Sequence, residues 1–286
     1  MASTLEPALC LPPRPLRNSA GLRLPDGTCD SHFHVFASGA PLAPVRSYTP
    51  RLETLAGWLA LAETFNIARG IVVQPSVYGL DNRVLLTALT ARAGRLRGIV
   101  VVDETTPDAE LARLHRLGVR GIRVNLTNKS GIGLEAIEIL SPRIARQDWH
   151  LQFQVRPDSL DLVTGITRRT GMAAVIDHLA FMPLDAPGKT LTALQRVLEG
   201  GRVFLKITAP YRLRDNARRD GYREVVAGLA ASHPERLLWG SDWPHTELFE
   251  AMPEEDDLVA LALDALPRHC HETVFVRNPD ALYWSD

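Results

Sequence analysis

Two histidines one residue apart occur in Cys29-Asp30-Ser31-His32-Phe33-His34. In an extended segment this spacing puts both imidazoles on one face, together with Asp30. Paired imidazoles there can hold one metal ion or polarise one carbonyl group. A third histidine, His178, ends the run Ala173-Ala174-Val175-Ile176-Asp177. Asp242 follows Leu237-Leu238-Trp239-Gly240-Ser241. A carboxylate after so apolar a run must be paired or functional, because an unpaired buried charge is costly. Taken singly, His178 could be a satisfied core histidine and Asp242 one half of a salt bridge. As a set the four residues point to chemistry. Beside three imidazoles Asp242 would stay ionised and could act as a general base on water.

Eight short β-branched runs must position them: 28–35, 70–74, 98–102, 121–126, 150–155, 173–178, 203–208 and 237–241. Amphipathic helices are expected between and after them, at 52–65, 82–93, 108–117, 134–145, 159–169, 191–198, 222–231 and 255–266. Eight strand–helix units match a closed (β/α)8 TIM barrel of the α/β class. A doubly wound open sheet would instead carry a Gly-rich phosphate loop after its first strand, where Ser31-His32-Phe33-His34 stands. Barrel active sites lie at the C-terminal ends of the strands, where His32, His34, His178 and Asp242 fall. Residues 1–26 are proline-rich and aperiodic and are expected as an extended N-terminal arm, leaving 27–286 as a single barrel domain.

Composition narrows the partners. The formal net charge of -1 gives no electrostatic reason to bind nucleic acid or an anionic membrane. Only Lys129, Lys189 and Lys206 are lysines, so nearly all positive charge is arginine. Cys10, Cys29 and Cys270 are far apart and form neither a disulfide framework nor a structural zinc motif. No apolar run approaches the roughly 18 residues of a membrane span. Pro12, Pro13 and Pro15 break any targeting helix, so a cytoplasmic enzyme is expected. Oligomeric state is not legible.

The segments Cys29-Asp30-Ser31-His32-Phe33-His34-Val35-Phe36 and Leu238-Trp239-Gly240-Ser241-Asp242-Trp243-Pro244-His245 resemble signatures of the amidohydrolase superfamily (amidohydrolase-related family 2). With Val73-Gln74-Pro75-Ser76, Arg120-Gly121-Ile122-Arg123, Ile176-Asp177-His178 and Lys206-Ile207-Thr208-Ala209-Pro210, the chain is similar to the 2-pyrone-4,6-dicarboxylate lactonases over nearly its whole length. The resemblance implies a hydrolase that opens a lactone of a carboxylated small molecule from aromatic-compound catabolism. Asp242 would activate water while His32, His34 and His178 polarise the ester carbonyl. Tyr48, Ser76, Arg123, Lys129, Gln154, Phe181, Arg212 and His245 would surround the substrate.

Metal-dependent members of the superfamily add a histidine on the fifth strand. Here that strand reads Leu151-Gln152-Phe153-Gln154-Val155, and the fourth carries Arg123, which would repel a cation. No cofactor is therefore expected. If a metal such as zinc were bound, His32, His34, His178 and Asp242 would be its ligands. Family arginines align with Lys129 and Phe181 here, and a family tyrosine with Gln154. Lysine keeps the charge but not the bidentate fork, and phenylalanine keeps neither. A substrate with fewer acid groups, or with an apolar part near Phe181, is expected. A metal-dependent decarboxylase of an aromatic acid, a sugar-acid lactonase or lactone isomerase, and a catalytically inactive binding barrel are the alternatives on this scaffold.

Overall fold

The computed structural model describes residues 6–128, 132–214 and 219–285. Its strands are β1 (Cys29–Phe33), β2 (Arg69–Val73), β3 (Leu96–Val100), β4 (Val119–Asn125), β5 (His150–Gln154), β6 (Ala174–Ile176), β7 (Val203–Lys206) and β8 (Leu237–Leu238). They pair in parallel in sequence order. Backbone bonds from Ser31 N to Trp239 O (3.0 Å) and from Asp242 N to His32 O (2.8 Å) bring the eighth strand against the first. The eight-stranded α/β barrel expected from the pattern is the one found.

One helix follows each strand: α1 (Leu55–Phe65), α2 (Arg83–Ala91), α3 (Asp108–Arg116), α4 (Leu134–Ile144), α5 (Leu160–Thr170), α6 (Pro187–Leu198), α7 (Arg219–Ser232) and α8 (Glu255–Ala265). A further short helix, α9 (Asn278–Tyr283), was not legible as a period because it spans barely two turns. It matters for the barrel. Tyr283 is fully buried and packs with Cys29, Ile71, Ile99, Val175 and Leu238, filling the inside of the barrel away from the site. Asn278 Nδ2 donates to Pro234 O and Leu237 O, both at 2.8 Å, tying α9 to β8.

The strands β6 and β8 are shorter than the runs 173–178 and 237–241 suggest. The reason lies in the backbone. Asp242 (φ 61°) and His178 (φ 52°) occupy the left-handed region, so the chain leaves the ladder and turns these side chains across the barrel mouth. Residues 6–27 carry neither helix nor strand; Leu9 bridges Thr49, and Leu11 N donates to Leu248 O beside the site. No helix among the described residues is long and apolar enough to cross a membrane.

The seam between β8 and β1 is the part of the fold on which the site depends. Asp30 is fully buried and accepts from His32 N (3.1 Å), Ser241 N (2.9 Å), Ser241 Oγ (2.6 Å) and Trp58 Nε1 (2.9 Å). It therefore faces the seam and not a substrate. Gly240 lets the backbones meet: a Cβ there would lie 2.7 Å from His32 N.

Candidate active site

Four side chains from three strand ends converge. His32 Nε2 lies 3.3 Å from His34 Nε2 and 3.6 Å from Asp242 Oδ1. His34 Nε2 and His178 Nε2 each stand 3.8 Å from the same oxygen. All four residues are buried. Asp242 Oδ1 has no hydrogen-bond partner among the described residues.

The outer atoms of the cluster are held individually. His34 Nδ1 is 2.7 Å from Val73 O, a carbonyl that can only accept, so this nitrogen carries the proton. His178 Nδ1 is 2.7 Å from Thr208 Oγ1, which can donate or accept. His32 Nδ1 has two neighbours of opposite character, Asp177 Oδ1 at 3.2 Å and Lys206 Nζ at 3.1 Å. Asp177 and Lys206 form a fully buried pair at 3.3 Å, and Gln152 Nε2 donates to the other Asp177 oxygen at 3.2 Å. Asp242 Oδ2 accepts from Tyr211 Oη (2.6 Å) and Arg212 Nε (2.7 Å). Behind them, His245 contacts Tyr211 Oη through Nδ1 at 2.8 Å and Glu255 Oε1 through Nε2 at 2.6 Å.

These surroundings set the charge of each group. Burial alone would raise the Asp242 carboxyl, but the Arg212 guanidinium outweighs it and holds the carboxyl well below the usual carboxylate range. Burial pushes His178 down to about 4. It pushes His34 down to about 3, helped by Arg123. His32 is lowered well below its ordinary value, again chiefly by burial. At neutral pH the site therefore holds an ionised carboxylate amid three neutral imidazoles.

The cavity above this cluster is lined by His34, Tyr48, Ser76, Arg123, Asn128, Gln154, His178, Arg212, Asp242, Thr246 and Glu247. Its free volume of about 10 Å³ admits the centre of one water. Tyr48, Ser76, Arg123, Gln154 and Arg212, expected from the sequence around the substrate, are among these lining residues. Two expected residues are not. Phe181 does not line the cavity; its ring stands edge-on to His178, centroids 5.6 Å apart, with Arg156 over its face, in a run of four successive left-handed residues from His178 to Phe181. His245 is fully buried, its N–H donating to Asp242 O and its ring contacting Tyr211 Oη, and it does not line the cavity. Lys129 lies outside the described residues. Both arginines of the cavity are already engaged: Arg123 with Gln74 O (2.9 Å) and Gln154 Oε1, Arg212 with Asp242 and Thr246 O (2.7 Å).

Sequence reasoning missed Tyr211, Asn128, Thr246, Glu247 and the Asp177–Lys206 pair. Lys206 had a usable signal, a charge closing the apolar run Val203-Phe204-Leu205 just as Asp242 closes another. Loop residues 128, 246 and 247 carried none.

Three of the converging donors, on His32, His34 and Asp242, also fit a single divalent ion; His178 falls instead in a second group with His32 and Asp177, so the four residues expected as a ligand set do not all close on one point. Tetrahedral zinc with Zn–N near 2.0–2.1 Å needs ligand atoms roughly 3.4 Å apart, close to the 3.3–3.8 Å separations within the first group. The unpartnered Asp242 Oδ1 and the bare Nε2 of His34 suit such an ion.

The amidohydrolase family model matches residues 29–284. The chain is 32% identical over 282 residues to the 2-pyrone-4,6-dicarboxylate hydrolase of Comamonas testosteroni, covering 92% of each chain. It is 32% identical over 293 residues to the 4-sulfomuconolactone hydrolase of Rhizobium radiobacter, covering 96% of this chain and 95% of the relative. A solved Pseudomonas putida structure described as a candidate 2-pyrone-4,6-dicarboxylic acid hydrolase superposes with a TM-score of 0.80 at 30% identity, covering 91% of this chain and 98% of its own. Barrel, histidine cluster and sequence match together place the chain in the amidohydrolase family.

Proposed function

We propose that this protein is a hydrolase that opens the lactone of a carboxylated small molecule of the type met in aromatic catabolism. The relatives named above act on lactones of that kind. The observation that carries the reading is the free, buried Asp242 Oδ1, ionised and facing three imidazoles at the mouth of the barrel.

In this mechanism a water at the cluster gives its proton to Asp242 Oδ1 as its oxygen attacks the lactone carbonyl. The ring C–O bond then breaks, and Asp242 returns the proton to the leaving alkoxide or enolate, yielding an open-chain acid. Tyr211 and Arg212 fix the carboxylate through Oδ2 and leave Oδ1 to move the proton. The developing oxyanion is stabilised by N–H donors in a site without bulk water. His178 Nε2 is one when Thr208 donates to Nδ1. Arg123 Nε is another; it is buried and has no partner among the described residues.

The tautomer of His32 separates a metal-free site from a metal site. If Lys206 donates to His32 Nδ1, then His32 Nε2–H donates to His34 Nε2, and His34 Nδ1–H donates to Val73 O. This chain satisfies every ring nitrogen of the pair without an ion, and it is the reading we propose. If His32 Nδ1–H instead donates to Asp177, its Nε2 is bare, and His32, His34 and Asp242 would hold one zinc-type ion. Such an ion would supply Lewis acidity at the carbonyl. The test combines a lactone panel with elemental analysis of protein purified without added metal. Lactone opening is expected with far less than one equivalent of metal and is expected to survive a chelator. Stoichiometric zinc, with turnover lost on chelation, replaces the first tautomer by the second. Failure to open any pyrone, muconolactone-type or sugar lactone overturns the function.

A further inference from the structure

Glu247 puts a second carboxylate in the wall of the cavity, one that neither the cluster nor the proposed proton transfer uses. It sits in the left-handed region (φ 62°), with its N–H donating to Cys10 Sγ at 3.3 Å, so the N-terminal segment helps to hold it over the site. Its Oε1 accepts from Asn128 Nδ2 at 3.1 Å, and Asn128 Nδ2 is also 3.2 Å from Ser76 Oγ. Its Oε2 lies 3.6 Å from Arg212 Nη1. Thr246 beside it is hydrogen-bonded to Tyr48. Among the described residues this side of the cavity offers short neutral hydrogen-bonding groups around one carboxylate, which Arg212 approaches without hydrogen-bonding it. Arg212 is held by Asp242 and Thr246 O, and both Nη groups of Arg123 by Gln74 O and Gln154 Oε1, which leaves Arg123 Nε alone without a partner among the described residues. Such a wall matches hydroxyl groups, and its charge opposes a second acid group.

We propose that Glu247 is a specificity-determining residue: its carboxylate accepts a hydrogen bond from a hydroxyl on the substrate lactone and excludes a carboxylate at that point. The substrate class is then a hydroxylated lactone with no more than one acid group. Because the cavity is so narrow, the substrate hydroxyl takes the place of Asn128 Nδ2 on Oε1. This rests on the lactone-hydrolase reading, which it makes more specific.

The test compares wild type with Glu247→Gln on D-glucaro-1,4-lactone, δ-valerolactone and 2-pyrone-4,6-dicarboxylate. Calorimetry with D-gluconolactam and δ-valerolactam, whose amide bonds resist opening, reads binding alone. Wild type is expected to favour the hydroxylated ring in both measurements. Exchanging a charged for a neutral acceptor costs on the order of tenfold, so Glu247→Gln should lose about that factor on the hydroxylated lactone, chiefly in KM. On the dicarboxylate the same variant should gain. Opposite signs on two substrates are something a merely structural defect does not produce. Equal effects on all substrates, no effect, no lactam binding, or the dicarboxylate as the best wild-type substrate would each overturn the proposal. Lactam binding with this pattern but no lactone opened would refute the hydrolase reading and leave the role of Glu247 standing. Lactone opening blind to hydroxyl groups would do the reverse.

Discussion

Replacing Asp242 by Asn tests the mechanism most directly. Asparagine keeps the shape, and its amide oxygen can still accept from Tyr211 and Arg212, which bond Oδ2 at 2.6 and 2.7 Å. What is lost is a carboxylate oxygen that can take a proton from water. General-base catalysis contributes about 10²–10⁴-fold, equivalent to roughly 3–5 kcal/mol of barrier. We expect kcat to fall by that factor, with KM changing by less than about threefold because Oδ1 works in the transition state and not in ground-state binding. Arg212 keeps Thr246 O at 2.7 Å and Glu247 at 3.6 Å, so its buried charge is not abandoned. Stability should change by no more than about 2 kcal/mol, the difference between a charged and a neutral hydrogen bond. The assay is initial-rate lactone opening, corrected for spontaneous hydrolysis, alongside thermal melting and elemental analysis of both proteins. Residual activity of the variant should climb roughly tenfold per pH unit as hydroxide replaces the missing base. The wild type should show no loss near pH 4–5 from this carboxyl, which is held well below its ordinary range. A folded variant with kcat within tenfold of wild type would refute Asp242 as the base.

Stability should fall as the solution is acidified. His34 and His150 titrate at about 3 and His178 at about 4 in the fold, against 6.5 in an open chain. Between about pH 4 and 6.5 the unfolded state binds more protons, so stability rises with pH by about 1.4 kcal/mol per pH unit for each such histidine. Asp30, raised to about 6, acts in the opposite sense over part of that window and cancels the equivalent of one histidine. The melting temperature should therefore drop by several degrees per pH unit from pH 6.5 downward; a melting point equal or higher at pH 5 would contradict the buried neutral imidazoles. At the seam, Gly240→Ala sets a Cβ 2.7 Å from His32 N and 3.0 Å from Asp30 Oδ1. A loss of about 1–3 kcal/mol from overpacking is expected, with a fall in kcat because β1 and β8 carry the cluster; unchanged melting and turnover would show that the backbone yields.

The order of elements, the barrel and the four-residue cluster were legible in the sequence for one physical reason. Strand alternation places side chains by parity, and an apolar run exposes any polar residue that ends it, so His32, His34, His178 and Asp242 stood out. The same logic reaches Lys206, whose pairing with Asp177 and contact with His32 Nδ1 bear on whether the site needs an ion. Parity could not foretell the rest. Phe181 and His245 lie beside signature residues in the chain, but left-handed turns leave one edge-on to His178 and the other against Tyr211, neither in the cavity wall. Asn128, Tyr211, Thr246 and Glu247 come from loops, whose paths follow from long-range contacts such as Cys10 with Glu247 and not from any local period. Arginine in the sequence reads as an anion site. Only the folded chain shows that Arg212 and both Nη groups of Arg123 are already bound to protein groups, because a guanidinium's partner is chosen by proximity in space. The chemistry of the cluster was thus written in the strands, while the shape and charge that select a substrate were decided by the loops packed over them.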